Sequence, residues 1–209
     1  AMELGCPWIE MDVVITGDGQ VLVSHEPWMD ARTCRKPDGS RINEIEGRAA
    51  NVFRMTLAEV QAFPCVPSTV WPGPTSWPKD WRKPTLAEVV QATDRFAAEH
   101  RSAPVKFNIE IKSEPELYGA YQPMPVPFAA RVLDAIAELR IGKRCLVQSF
   151  DVAALNAAHA TAADMPVALL VDNTKGLEAN LQGLDFTPQY YSSNFTLVDE
   201  VLLHALREK

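Results

Sequence analysis

Along residues 8–15, WIEMDVVI, β-branched content and apolar–polar alternation predict a strand. TGDGQ follows, and its Asp18-Gly19 pair signals a tight turn. VLVSHE, residues 21–26, reads as a second strand. Residues 27–84 lose the rhythm and turn rich in Pro and Trp, as in WPGPTSWPKDWRKP. One helix is expected there, over 56–63, because Thr56 and Glu59 form a capping box. From Pro84 onward the period changes. Thr85 with Glu88 opens a helix running to about His100, and KFNIEIK, 106–112, is a strand. An amphipathic helix over Phe128–Leu139 precedes the strand CLVQSF, 145–150. Asp151 caps a helix to about Ala163, PVALLVD is a strand over 166–172, and 176–184 is a short helix. A weaker strand, YYSSNF, covers 190–195, and Thr196 with Asp199 signals a last helix to Lys209.

Strands alternating with helices make this an α/β chain with six expected parallel strands. Neither a dinucleotide-binding glycine motif nor a phosphate-binding P-loop is present, so an open doubly wound sheet and a (β/α)8 TIM-type barrel remain. A full barrel takes about 250 residues. The 209-residue chain opens close to Gly5 and closes on VDEVLLHALREK, so both ends read as cut. A barrel lacking two units accommodates that count. Hydrophobic residues make up 47% and charged residues 22%, which excludes disorder as the main state. Residues 1–5 lack the features of a signal peptide, and the longest apolar runs fall far short of the roughly 20 residues of a membrane span. The net charge of −7, without a basic run, argues against nucleic acid and anionic membrane surfaces. The compartment stays open, whether cytoplasmic, periplasmic or secreted.

Polar residues at the carboxyl ends of parallel strands carry the chemistry of barrels and open sheets alike. Glu10 and Asp12, two apart, project to one strand face, about 6.6 Å apart along the chain. Glu110 and Lys112 repeat the spacing in NIEIK, and His25 ends the second strand. Three carboxylates, Glu10, Asp12 and Glu110, suit a hard divalent cation, Mg2+ or Ca2+, which would offset charges costly to gather unpaired. Lys112 suits an anionic substrate group, and His25 a proton transfer near neutrality. Together they point to phosphoryl chemistry on a diester.

The run IEMDVVITGDGQVLVSHEP resembles the signature of the glycerophosphodiester phosphodiesterases. That signature joins a Glu-x-Asp strand, a T-x-D-G turn and a strand ending in His-Asp or His-Glu. PTLAEV, NIEIK and VQSFD are similar to later blocks of that family, in the same order. The resemblance implies a single barrel domain over 1–209, with an insertion over 27–84. It also implies metal ligation by Glu10, Asp12 and Glu110, one catalytic histidine in His25 and phosphate contact by Lys112. The implied reaction is metal-dependent hydrolysis of glycerophosphodiesters to glycerol 3-phosphate and an alcohol. The chain is expected to rise through Glu10 and Asp12, fall through Val14–Gly17 and rise again to His25.

The family's opening strand ends in His-Arg-Gly, with Pro-Glu-Asn nearby, and its last strand carries Trp-Thr-x-Asn. None of these strings occurs in the chain. The expectation is therefore a barrel without its first and eighth strands, with low turnover and self-association through the gap. Two alternatives stand beside the hydrolase: a non-catalytic remnant keeping a metal and phosphate pocket, and a related barrel phosphodiesterase acting on another lipid-derived diester.

The remaining residues have plainer readings. Gln148 and Ser149 are expected to pack and bond at a strand end. His100 at a helix terminus complements the dipole; His159 and His204 lie on helices. Cys6 and Cys145 are expected to be buried, while the pairing of Cys34 with Cys65 is open. Trp71, Trp77 and Trp81 are expected to pin the insertion to the barrel rim, and Asn194 and Phe195 are candidates for lining the pocket.

Overall fold

The structure, a computed structural model, describes residues 2–66 and 80–208; Trp71 and Trp77 lie outside them. Strand β1 (Trp8–Ile15) leads through a tight turn into β2 (Val21–Val23). Gly19 takes φ +79° in that turn, and Asp18 accepts from Thr16 Oγ1 at 2.5 Å. The insertion carries α1 (Glu44–Ala49) and α2 (Leu57–Gln61). Then follow α3 (Leu86–Glu99), β3 (Lys106–Ile111), α4 (Pro125–Glu138), β4 (Cys145–Ser149), α5 (Val152–Thr161), β5 (Val167–Val171), α6 (Leu177–Leu181), β6 (Tyr190–Ser193) and α7 (Glu200–Arg207). The capping boxes at Thr56 and Thr85 close as their spacing demands, and Asp151 caps α5.

The sheet order is β2-β1-β3-β4-β5-β6. From β1 to β6 every neighbouring pair is parallel and the order never reverses. A doubly wound sheet reverses at a switch point. An order that steps one way with right-handed crossovers sets all its helices on one face, as in a barrel.

The expected descent through Val14–Gly17 is corrected. β1 continues straight to Ile15, and β2 pairs it antiparallel through Val13↔Val23, Val14↔Leu22 and Ile15↔Val21. The sheet thus has five parallel strands and one antiparallel edge, not six parallel strands. A tight turn joins antiparallel neighbours directly, whereas parallel ones require a long crossover. The second strand stops at Val23, short of His25. The last helix begins at Glu200 with Asp199 as its cap, because Thr196 belongs to a short 3-10 turn. Helix α1, closed by an Asn43–Glu46 capping box, was not expected.

Odd-numbered positions of β1, β3 and β4 face the helices. Met11, Val13, Ile15, Phe107, Ile109, Ile111, Cys145 and Val147 pack with Leu86 and Val90 of α3 and Phe128, Val132 and Ile136 of α4. Even-numbered positions face the other way. There Val14 and Leu22 join a second core made by the insertion, with Met29, Cys34, Ile42, Val52 and Val60. A Cys34–Cys65 disulfide ties that core. Cys6 is exposed, against expectation, because it precedes β1 rather than lying in it; Cys145 is buried, and burial pushes its thiol up to about 12. His100 caps the end of α3, its Nδ1 2.9 Å from the Phe96 carbonyl, and His159 stacks on Phe186. Among the described residues no helix is long and apolar enough to cross a membrane.

Candidate active site

The inner face of the sheet holds the polar residues because strand side chains alternate. Register then sets who meets whom: Asp12 lies beside Glu110, Glu110 beside Gln148, and Glu10 beside Asn108. Glu10, Asp12 and Glu110 each bring a carboxylate oxygen within 4.8 Å of the other two. Lys112 leaves the end of β3 and places Nζ 3.0 Å from Glu110 Oε1 and 3.8 Å from Asp12 Oδ1.

One ammonium against three carboxylates leaves the cluster short of positive charge. Burial pushes the Glu110 carboxyl up to about 7, with Lys112 pulling it down and Asp12 adding to the rise. Burial also raises Glu10, reinforced by Asp12 and opposed by a hydrogen bond from Gln148. For Lys112, burial disfavours the charge, but Glu110 and Asp12 outweigh it and the ammonium is held above its ordinary range. A divalent cation fits this site: hard oxygen donors, excess negative charge and a carboxyl already poorly solvated.

Glu10, Asp12 and His25 line one cavity of about 1180 Å3, together with Glu26, Lys83 and Trp81. His25 follows β2 and is exposed; its Nδ1 lies 2.9 Å from Glu26 Oε1. That bond raises the imidazole, with burial opposing it. Lys83 reaches in beside His25 from the end of the insertion. The residue is half-buried, but its ammonium is walled in against Ser24 Oγ, and burial lowers it to about 8 while Asp30 and Glu26 pull it back.

All five residues expected from the sequence therefore fall in one region, on β1, the end of β2 and β3. Asn194 and Phe195 do not join it: Asn194 bonds Asp172 and Phe195 is 85% exposed. Trp81 is exposed on the cavity wall, and its carbonyl accepts from Cys65 N, a bond within the insertion; the tie to the sheet is made instead by the Pro84 carbonyl, which accepts from Val23 N. Gln148 does more than pack, since its Nε2 donates to Glu10 Oε1 at 3.1 Å. Asn108 and Lys83 were missed. Asn108 had a signal, its even-numbered place two before Glu110; Lys83 had none.

A barrel-type α/β sheet that gathers an acidic cluster, with Lys112 against it and His25 on the adjoining cavity, has the groups that phosphoryl transfer calls for. The model of the glycerophosphoryl diester phosphodiesterase family matches residues 1–208, and the chain belongs to that family. Its members are divalent-cation-dependent phosphoric diester hydrolases built on a TIM barrel. Among solved structures, the chain is similar to a protein of Silicibacter pomeroyi DSS-3 assigned as a glycerophosphoryl diester phosphodiesterase. That match has a TM-score of 0.77 and 22% identity, and covers 99% of this chain and 71% of the other. An Oleispira antarctica phosphodiesterase, solved with its product sn-glycerol-3-phosphate, matches with a TM-score of 0.69 and 18% identity, over 99% and 70%. The glycerophosphodiester phosphodiesterase of Thermotoga maritima follows with a TM-score of 0.61 and 19% identity, over 99% and 70%. At these identities the likeness establishes the fold. A search of proteins with curated function found no match.

Proposed function

We propose that the chain hydrolyses glycerophosphodiesters to glycerol 3-phosphate and an alcohol, with Glu10, Asp12 and Glu110 as cation ligands, Lys112 as the phosphate contact and His25 as the proton-transfer residue. The observation that carries this reading is the carboxylate triad, gathered from two strands to within 4.8 Å beside a lysine. Family membership and the product held by the Oleispira antarctica relative support the substrate class.

Glu10, Asp12 and Glu110 would hold Mg2+ or Ca2+, which when bound supplies Lewis acidity toward a phosphate oxygen. Lys112 offers a point charge to the anionic diester, and the strand that carries it fixes its distance from the acids. The Glu26 carboxylate can only accept, so the His25 Nδ1 facing it carries the proton. That leaves Nε2 of neutral His25 free to take a proton from the attacking oxygen. Glu26 then stabilises the imidazolium, consistent with the raised imidazole.

Turnover of glycerophosphocholine with Mg2+ or Ca2+ tests the reading: cation-dependent hydrolysis abolished by His25→Ala is expected. In parallel, calorimetry should show the heat of cation binding lost in Asp12→Ala, and equal heats in both proteins would remove the site assignment. A second reading, cation and phosphate binding with little turnover, has one observation in its favour. Among the described residues His25 is the one histidine lining the cavity. Binding heat without hydrolysis would select it.

A further inference from the structure

Glu10 is the exposed member of the triad, and among the described residues its carboxylate has a single hydrogen-bond partner, Gln148. Gln148 sits on β4, two strands from β1, and reaches across β3 to donate from Nε2 to Glu10 Oε1 at 3.1 Å. Asn108, on the strand between, donates from Nδ2 to Gln148 Oε1 at 2.8 Å. The direction of this relay is forced. A carboxylate only accepts, so the amide nitrogen of Gln148 turns to Glu10. Its oxygen then needs a donor, which the Asn108 amide supplies. Flipping the Gln148 amide would set its oxygen against the Glu10 carboxylate.

Packing does not ask for these residues. Neighbouring inner positions are Val14, Leu146 and Ala168, all buried. Gln148 is itself buried, and Asn108 Oδ1 is buried without a hydrogen-bond partner. Two amides placed in such a row, one with an orphaned acceptor, are costly to stability and make sense through what they hold.

We infer that Gln148 and Asn108 are positioning residues that fix the Glu10 carboxylate for the cation, with Gln148 acting directly and Asn108 one step behind. The inference rests on the cation site proposed above. Partners one step removed from a metal typically change its affinity about 10–100-fold when lost.

The test is calorimetric titration of Mg2+, and separately Ca2+, into the full chain, with far-UV circular dichroism to confirm folding. Gln148→Met keeps the length and removes the donor; it should bind about 10–100-fold more weakly. Gln148→His, which retains a ring N–H, should recover most of the affinity, as a merely structural role would not predict. Asn108→Leu should lose less than Gln148→Met, and the double variant should bind no more weakly than Gln148→Met alone, because the two act in series. Should Gln148→Met fail to fold, Asn108→Leu carries the test alone. Unchanged affinity in a folded single variant, beside a wild type that binds, overturns the relay and leaves the cation site standing. A wild type that binds neither ion overturns both.

Discussion

Replacing Lys83 with methionine should make this protein more stable at neutral pH. Its ammonium, walled in beside Ser24, is lowered from 10.5 to about 8 by burial. A displacement of that size corresponds to roughly 3 kcal/mol. The sign follows from proton binding. Between pH 8 and 10.5 the unfolded chain keeps the lysine proton that the folded chain has released, so stability rises with pH across that window. Below pH 8 both states carry the proton and the full penalty applies. Methionine removes the charge while filling similar space, and it strands no partner. Glu26 keeps His25 at 2.9 Å, Asp30 keeps Arg32 at 2.8 Å, and Ser24 Oγ still donates to the Glu26 carbonyl at 2.6 Å. Allowing for water at the cavity mouth, we expect a gain of about 2 kcal/mol at pH 7, or roughly 4–8 °C in melting temperature. At pH 10 the gain should shrink to less than about 1 kcal/mol. Thermal melts of both proteins at the two pH values check this. A variant that melts at or below wild type at pH 7, or a gap of equal size at pH 10, would refute the reasoning.

Three further outcomes are expected. Reducing the Cys34–Cys65 bond, which closes a separation of 31 residues, should cost up to about 3–4 kcal/mol in the unfolding of the insertion, read by melts with and without reductant; coincident curves would count against it. Gly47→Ala should destabilise by about 1–3 kcal/mol, because a Cβ there would stand 2.3 Å from the Met29 carbonyl oxygen; an unchanged melt would show that α1 shifts freely. The 209-residue chain should self-associate, since β6 pairs only with β5 among the described residues and Phe195 and Val201, which follow it in the chain, are 85% and 77% exposed; a concentration-independent monomer by light scattering would contradict this.

Much of the architecture was legible because local signals agreed with the final packing. WIEMDVVI, KFNIEIK and PVALLVD carry β-branched residues among other apolar ones, and Thr56, Thr85 and Asp151 mark helix starts that packing had no reason to override. The direction of the second strand was not legible. Residues 21–26 look the same whether the strand runs parallel or antiparallel to its neighbour; the turn at Asp18-Gly19 alone favoured a hairpin, and a barrel template outweighed it. Helix α1 was hidden by its Gly47 and its six residues, although Asn43 and Glu46 spelled a capping box. That Glu10, Asp12, Glu110 and Lys112 would lie together was legible because two-residue spacing is a property of the sequence. The link between Gln148 and Glu10 lay beyond it, since cross-strand register is a property of the folded sheet.

The alternation in β1 and β3 has a consequence for how this protein can change. Ile109 and Ile111 close the helix-side core, while Asn108 and Glu110, interleaved with them, lie on the opposite face of the sheet with the acidic cluster. A one-residue insertion or deletion inside either strand would swap the two sets at once, sending acids into the apolar layer and isoleucines to the acidic cluster. Point substitutions can touch stability or chemistry separately, but a frame slip cannot. Length variation is therefore confined to the segments between strands, such as residues 27–43 and 113–124, where adding a residue leaves the parity of the strands intact.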